Sequence, residues 1–238
     1  MLLGFLFTMD QITLIGCLVQ MFFIYFIIMM DCNILLMMSL DRYIAVCRPL
    51  SYHRIITRRV LFHLTVLSFM RGIIFVGPVV YLASSVNFCA SHTIQHFACE
   101  HMALLSLACS NVARNKIAGL VMRVAAMIMD LSFLAISYGS IMMAALKIST
   151  GTLRHKALHT CGTHILVIMV VYFFSLSSSI VYRVSKSVTQ DVHNFLSAVY
   201  LLVPALANPL IYGLRTNEIR VRMVTMFRQK TEFMDRMQ

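Results

Sequence analysis

The sequence predicts an all-α membrane protein, a bundle of transmembrane helices, and three observations predict it. Of its 238 residues, 60% are hydrophobic and only 12% charged, against roughly 45–50% and about 25% in an ordinary globular domain. Apolar stretches long enough to cross a bilayer, about 20 residues each, occur five times. Between them lie clusters of basic residues. Five lie between Arg42 and Arg59, three between Lys147 and Lys156, and six between Arg215 and Arg236, together 14 of the 20 Lys and Arg. A formal net charge of +11 would suggest nucleic acid in a soluble chain. Arranged this way it is the positive-inside signature of cytoplasmic loops, and no nucleic-acid partner is expected.

The first residues do not form a secretory signal, because no basic region precedes them and Asp10 and Gln11 interrupt the apolar run. The spans follow at about 14–40, 60–83, 117–146, 164–182 and 192–213. Each is too long for a strand and none alternates as a membrane barrel does. In hydrocarbon every backbone polar group must be satisfied within the chain, which leaves helices. The basic clusters put the loops after the first and third spans, and the tail, inside. Loops 84–116 and 183–191 are then outside. Cys89, Cys99 and Cys109 fall in one outer loop, and Cys17 at the outer end of the first span. Disulfides form on that side of the membrane, and four cysteines allow three pairings. Residues 1–213 make the bundle and 214–238 a cytoplasmic tail. There Ile219, Met223, Met226 and Phe227 share one face of a short amphipathic helix suited to the inner leaflet. Asp31, Arg71, Arg123 and Asp130 sit at or near membrane depth, where charges are costly and face the bundle interior. Arg123 and Asp130 are two turns apart, too far to pair directly, so each needs a partner on another helix.

Two motifs close the first and last spans: Asp41-Arg42-Tyr43, and Asn208-Pro209-Leu210-Ile211-Tyr212. Together, in this order, they resemble rhodopsin-like G-protein-coupled receptors. Met38 through Cys47 (MSLDRYIAVC), Ser137-Tyr138, Lys156 through His164 (KALHTCGTH) and Pro204 through Gly213 are similar to the motifs of odorant receptors. Asp130 shortly before Ser137-Tyr138, with Arg183 at the top of the sixth helix, resembles the class I, fish-like branch. The resemblance covers essentially the whole chain and aligns Met1 with the outer end of the family's second helix. The five spans then stand as helices three to seven.

The resemblance implies an odorant receptor in the plasma membrane that couples to a stimulatory heterotrimeric G protein. The alternative is a non-signalling fragment of such a receptor. It implies a bridge from Cys17 to Cys99 and a second from Cys89 to Cys109. It makes Asp41, Arg42 and Tyr43 an inner switch, with Asp41 pairing Arg42 at rest. Asn208-Pro209 becomes a hinge that lets Tyr212 swing towards Tyr138. For the ligand it implies carboxylic acids. A guanidinium binds a carboxylate bidentately, which casts Arg183 as the anchor and His101 as a second donor. Met21, Ile24, Tyr25 and Ile28, at helical spacing, would form the apolar wall, and Ser175 and Ser179 share the sixth-helix face of Arg183. No cofactor or metal is expected, since a bridged Cys99 offers no thiolate. No enzymatic motif is present: there is no H-E-x-x-H, P-loop or G-x-S-x-G.

Overall fold

The computed structural model describes residues 12–89, 94, 96, 98–147, 152–184, 189, 191–192, 194–202, 206 and 225. Four long helices dominate it: α1 (Leu14–Cys47), α3 (Arg58–Ser84), α5 (Ala113–Lys147) and α6 (Thr152–Val184). Two short ones sit in the connections, α2 (Tyr52–Ile55) and α4 (His101–Leu105). Residues 194–202 are helical from Asn194 onward. Two of the long helices begin where the sequence supplies a cap. The Thr13 hydroxyl accepts the Gly16 N–H at 3.1 Å, and Thr57 accepts that of Val60 at 3.3 Å.

The helices α1, α3 and α5 are long and apolar enough to cross a membrane, and α6 carries a shorter apolar stretch, Ile165–Val181. The fifth expected span is helical as far as 202, with its remainder mostly outside the described residues. Helix α1 runs seven residues beyond its expected apolar limit at 40, carrying Asp41 and Arg42 on a continuous helix. Each helix buries only a narrow strip. Ile27, Phe62, Ile136 and Phe173 are all more than half exposed, an arrangement that hydrocarbon, not water, accommodates.

Helix α1 is the hub, packed against both α3 and α5, and α5 carries α6. Small residues set the spacing. A Cβ on Gly72 would lie 2.6 Å from the Phe26 ring, so α3 approaches α1 as closely as a glycine allows. Lower in the bundle, Cys32, Leu35, Leu134, Tyr138, Ile141, Cys161, Ile168 and Tyr172 form one core. A second core at the opposite end joins Cys17, Met21, Ala83, Cys99 and Leu104. Two bridges fix that end, Cys17 to Cys99 and Cys89 to Cys109, with Cα atoms 5.3 and 5.7 Å apart.

Candidate functional site

The Cys17–Cys99 bridge shapes the site. It draws the connection between α3 and α5 into the bundle, so that Ala98 through Leu105 are all buried. The Cys99 N–H donates to Gln20 Oε1 (3.4 Å) and the His101 N–H to the Tyr25 hydroxyl (3.0 Å). Beneath this plug lies a cavity of about 120 Å³, walled by α1, α3, α5 and α6 and reached by Tyr200. That is comparable to cavities that admit small organic molecules.

The plugged end of the cavity is charged. The Arg183 guanidinium donates to the backbone carbonyls of Ser179 (2.7 Å) and Lys116 (3.3 Å), while its Nε has no hydrogen-bond partner. Arg123 donates to the Ser175 carbonyl at 3.1 Å and stacks between the rings of Tyr25 and Tyr200, 5.8 and 5.4 Å from their centroids. Glu100 accepts the Ser197 hydroxyl at 3.0 Å and lies 3.2 Å from His96 Nε2. Two guanidiniums and one carboxylate leave one net positive charge at this end.

His101 is 4% exposed and rests against α5, where a Cβ on Gly119 would come within 2.8 Å of its ring. Its Nε2 is buried and has no hydrogen-bond partner. Burial first, then the charges of Arg183 and Arg123, push its pKa down to about 4, so the imidazole is neutral at pH 7. An unfolded imidazole titrates near 6.5. Between these values the unfolded chain binds more protons than the folded one. This contribution to stability is therefore complete above about pH 6.5 and is lost as the pH falls towards 4. We expect the unfolding midpoint of the detergent-solubilised chain to drop across that window. His101→Asn, which cannot titrate, should drop less; parallel curves would refute the assignment.

At the other end of the cavity, Asp130 is paired with Arg71 of α3 and accepts the Tyr172 hydroxyl of α6 at 2.6 Å. Arg71 also donates to Asn33 of α1, whose amide donates to the Ser68 carbonyl at 3.2 Å. These are the partners the sequence demanded: Asp130 finds Arg71, and Arg123 finds two aromatic faces and a carbonyl.

Six of the eight expected ligand residues line the cavity: Tyr25, Ile28, His101, Ser175, Ser179 and Arg183. Met21 and Ile24 do not. Met21 is fully buried in the core beneath the Cys17–Cys99 bridge, because the bridge seats the loop directly over it. Ile24 lies off the strip that actually faces the cavity, which runs Tyr25, Ile28, Met29, Cys32. The Ser179 hydroxyl donates to the Ser175 carbonyl at 3.0 Å, within its own helix. Sequence reasoning missed Arg123, Glu100, Tyr200 and Ser178 as cavity residues. A signal existed for Arg123: Gly119, Arg123, Ala126 and Asp130 recur at the spacing of one helical face.

At the far pole, Asp41 accepts the Tyr52 hydroxyl of α2 at 2.6 Å. That bond raises the Tyr52 pKa above its ordinary value. The expected Asp41–Arg42 pair does not form: Arg42 is exposed, and the short side chain of Asp41 is taken by Tyr52. Tyr43 packs against the lower core, which includes Tyr138. Asn208, Pro209 and Tyr212 lie outside the described residues, as does all of the amphipathic tail 215–228 except Thr225.

Known proteins share this pattern. A family model described as olfactory receptor matches residues 1–230. Human olfactory receptor 52P1 is 40% identical over 212 residues, 89% of this chain and 66% of its own length. Human olfactory receptor 52D1 is 38% identical over 215 residues, 90% of this chain and 68% of its own. Human olfactory receptor 51I2 is 38% identical over 217 residues, 91% and 70% of the two lengths. The chain thus spans about two thirds of the length of these relatives. It is a multi-pass membrane protein and not an enzyme, and it belongs to the class I-like branch of the olfactory receptor family.

Proposed function

We propose that the chain detects small volatile carboxylic acids and signals through a stimulatory heterotrimeric G protein. The observation that carries this reading is the charge at the plugged end of the cavity. Arg123 and Arg183 outnumber Glu100 there, and His101 Nε2 and Arg183 Nε, both buried, have no partner. A monocarboxylate supplies the missing charge and the acceptors. Arg183 then anchors it and His101 adds a contact from the loop, while Ile28, Met29 and Met127 of the wall suit a flexible aliphatic chain.

In this reading the bridged end faces outside the cell and the Asp41–Arg42 pole faces the cytoplasm, in the plasma membrane. The long helices and segment 192–213 stand as helices three to seven of the receptor bundle, and the tail lies on the inner leaflet. An acid held by Arg183 of α6 and by the loop favours whichever arrangement of α6 brings them together. It shifts the equilibrium only by its difference in affinity for the two states. The basic inner surface, where Leu50 stands fully exposed beside Arg48, is the face offered to the G protein, with Arg42, Tyr43, Tyr138 and the Asn208-Pro209-Tyr212 hinge as the moving parts.

Straight-chain acids should raise cAMP in cells expressing the chain with the G protein, while their methyl esters, which keep the shape without the charge, should be weaker by about tenfold or more. Equal potency of acid and ester would overturn the carboxylate reading. The Tyr52–Asp41 bond offers a separate test at the inner pole. It keeps Asp41 from the resting pair with Arg42, so Tyr52→Phe should lower ligand-free cAMP by up to about fivefold, the equivalent of one hydrogen bond of about 1 kcal/mol. An unchanged basal level at equal surface expression would remove that bond from the switch.

A further inference from the structure

The cavity is polar at both ends. Asp130 is 2% exposed, yet it lines the cavity floor together with Tyr172. One of its oxygens accepts from Arg71 and the other from Tyr172. A carboxylate oxygen accepts two hydrogen bonds, so each retains an acceptor site. The wall between floor and plugged end is apolar along α1, α3 and α5, with Ile28, Met29, Val76, Met122, Ala126 and Met127, and α6 adds Ser175 and Ser178. A ligand ending in a methyl group would cover a desolvated carboxylate and satisfy nothing on it, which is unfavourable. A ligand ending in a donor would satisfy it.

Charge decides which donor. Arg71 already balances Asp130. An ammonium at the floor would meet the Arg71 guanidinium, and a second carboxylate would meet Asp130. A neutral O–H meets neither penalty. Helix geometry sets the distance. Arg123 to Asp130 on α5, and Ser179 to Tyr172 on α6, are both seven residues, about 10 Å along the axis at 1.5 Å per residue. The Arg183 guanidinium reaches back to the level of Ser179, whose carbonyl it holds.

We propose that the cavity selects a two-headed ligand, a medium-chain aliphatic acid carrying a hydroxyl at its far end, with Asp130 as the residue that reads the hydroxyl. The inference rests on the carboxylate reading for its other head. The test is binding to the detergent-purified chain, followed by the ligand-dependent rise in its unfolding midpoint. The probes are hexanoic, octanoic, decanoic and dodecanoic acids, their ω-hydroxy and ω-methoxy counterparts, and the diols of the same lengths. At one length the hydroxy acid should bind about tenfold tighter than the plain acid, the effect of one hydrogen bond to a charged acceptor. The methoxy acid, which keeps the oxygen without the donor, should lose that gain. If plain acids bind and no hydroxy acid binds tighter, or the methoxy acids match the hydroxy acids, the reading of the floor is overturned and the anchor stands. If diols bind and acids do not, the anchor falls and the floor stands. Binding by none of them overturns both.

Discussion

Replacing Arg183 with alanine should abolish the response to carboxylic acids, lowering potency by about a hundredfold or more, while the amount of chain at the cell surface stays the same. Both halves of this expectation follow from the contacts. Arg183 is only part-buried and its guanidinium donates to two backbone carbonyls, those of Ser179 and Lys116. The helix loses no side-chain partner when it is truncated. A bound carboxylate loses much more. Truncating one partner of a buried, hydrogen-bonded charge pair costs about 2–5 kcal/mol, and each 1.4 kcal/mol is tenfold. Arg183→Lys keeps the charge but not the planar fork and should recover only part of the loss. A dose–response for acids that is unchanged in Arg183→Ala would remove the anchor.

Asp130→Ala should have the largest effect on stability. Asp130 ties three helices into the cavity floor: Arg71 of α3 donates to it, Tyr172 of α6 donates to it, and Arg71 also holds Asn33 of α1. An ordinary interhelical hydrogen bond in a membrane is worth about 0.6 kcal/mol on average, so the loss of Tyr172's bond alone is minor. The orphaned Arg71 guanidinium, its side chain 15% exposed, dominates. Removing one partner of a buried ion pair costs about 3–5 kcal/mol, whereas replacing both by apolar residues is often neutral. The unfolding midpoint in detergent should therefore fall sharply for Asp130→Ala and recover for Arg71→Met combined with Asp130→Leu. A single variant as stable as the parent would show that the pair contributes nothing.

The long helices were legible because hydrophobic length is a local property. The stretches around Val19, Phe69 and Ile128 declare themselves without reference to anything else in the chain. Arg183 and His101 were legible as a pair only through the family's motifs, and the structure does bring both to one cavity. What escaped was set by contacts between distant residues. The sequence shows that Asp130 at membrane depth is costly, but not that its partner is Arg71, 59 residues away. Met21 shares a helical face with Tyr25 and Ile28, yet the bridge at Cys17 lowers the loop over it and turns a wall residue into core. Glu100 escaped as a cavity residue for the same reason: nothing local reveals that the segment from Ala98 to Leu105 is folded inward. Asp41 sits beside Arg42 in sequence, but adjacent residues on a helix point apart, and Tyr52 on the next turn of chain takes its place.

The bond from Ser197 to Glu100 joins residues 97 apart, and that span orders the birth of the molecule. As the chain emerges during synthesis, Cys17 and Cys99 are both made long before Ser197. Until then the Glu100 carboxylate lacks the hydroxyl that donates to it. The cavity is thus completed late, and its wall closes only when segment 194–202 arrives with Ser197 and Tyr200. A ribosome that stops short of that segment leaves a nascent chain that holds both cysteines of the bridge but lacks one wall of the cavity.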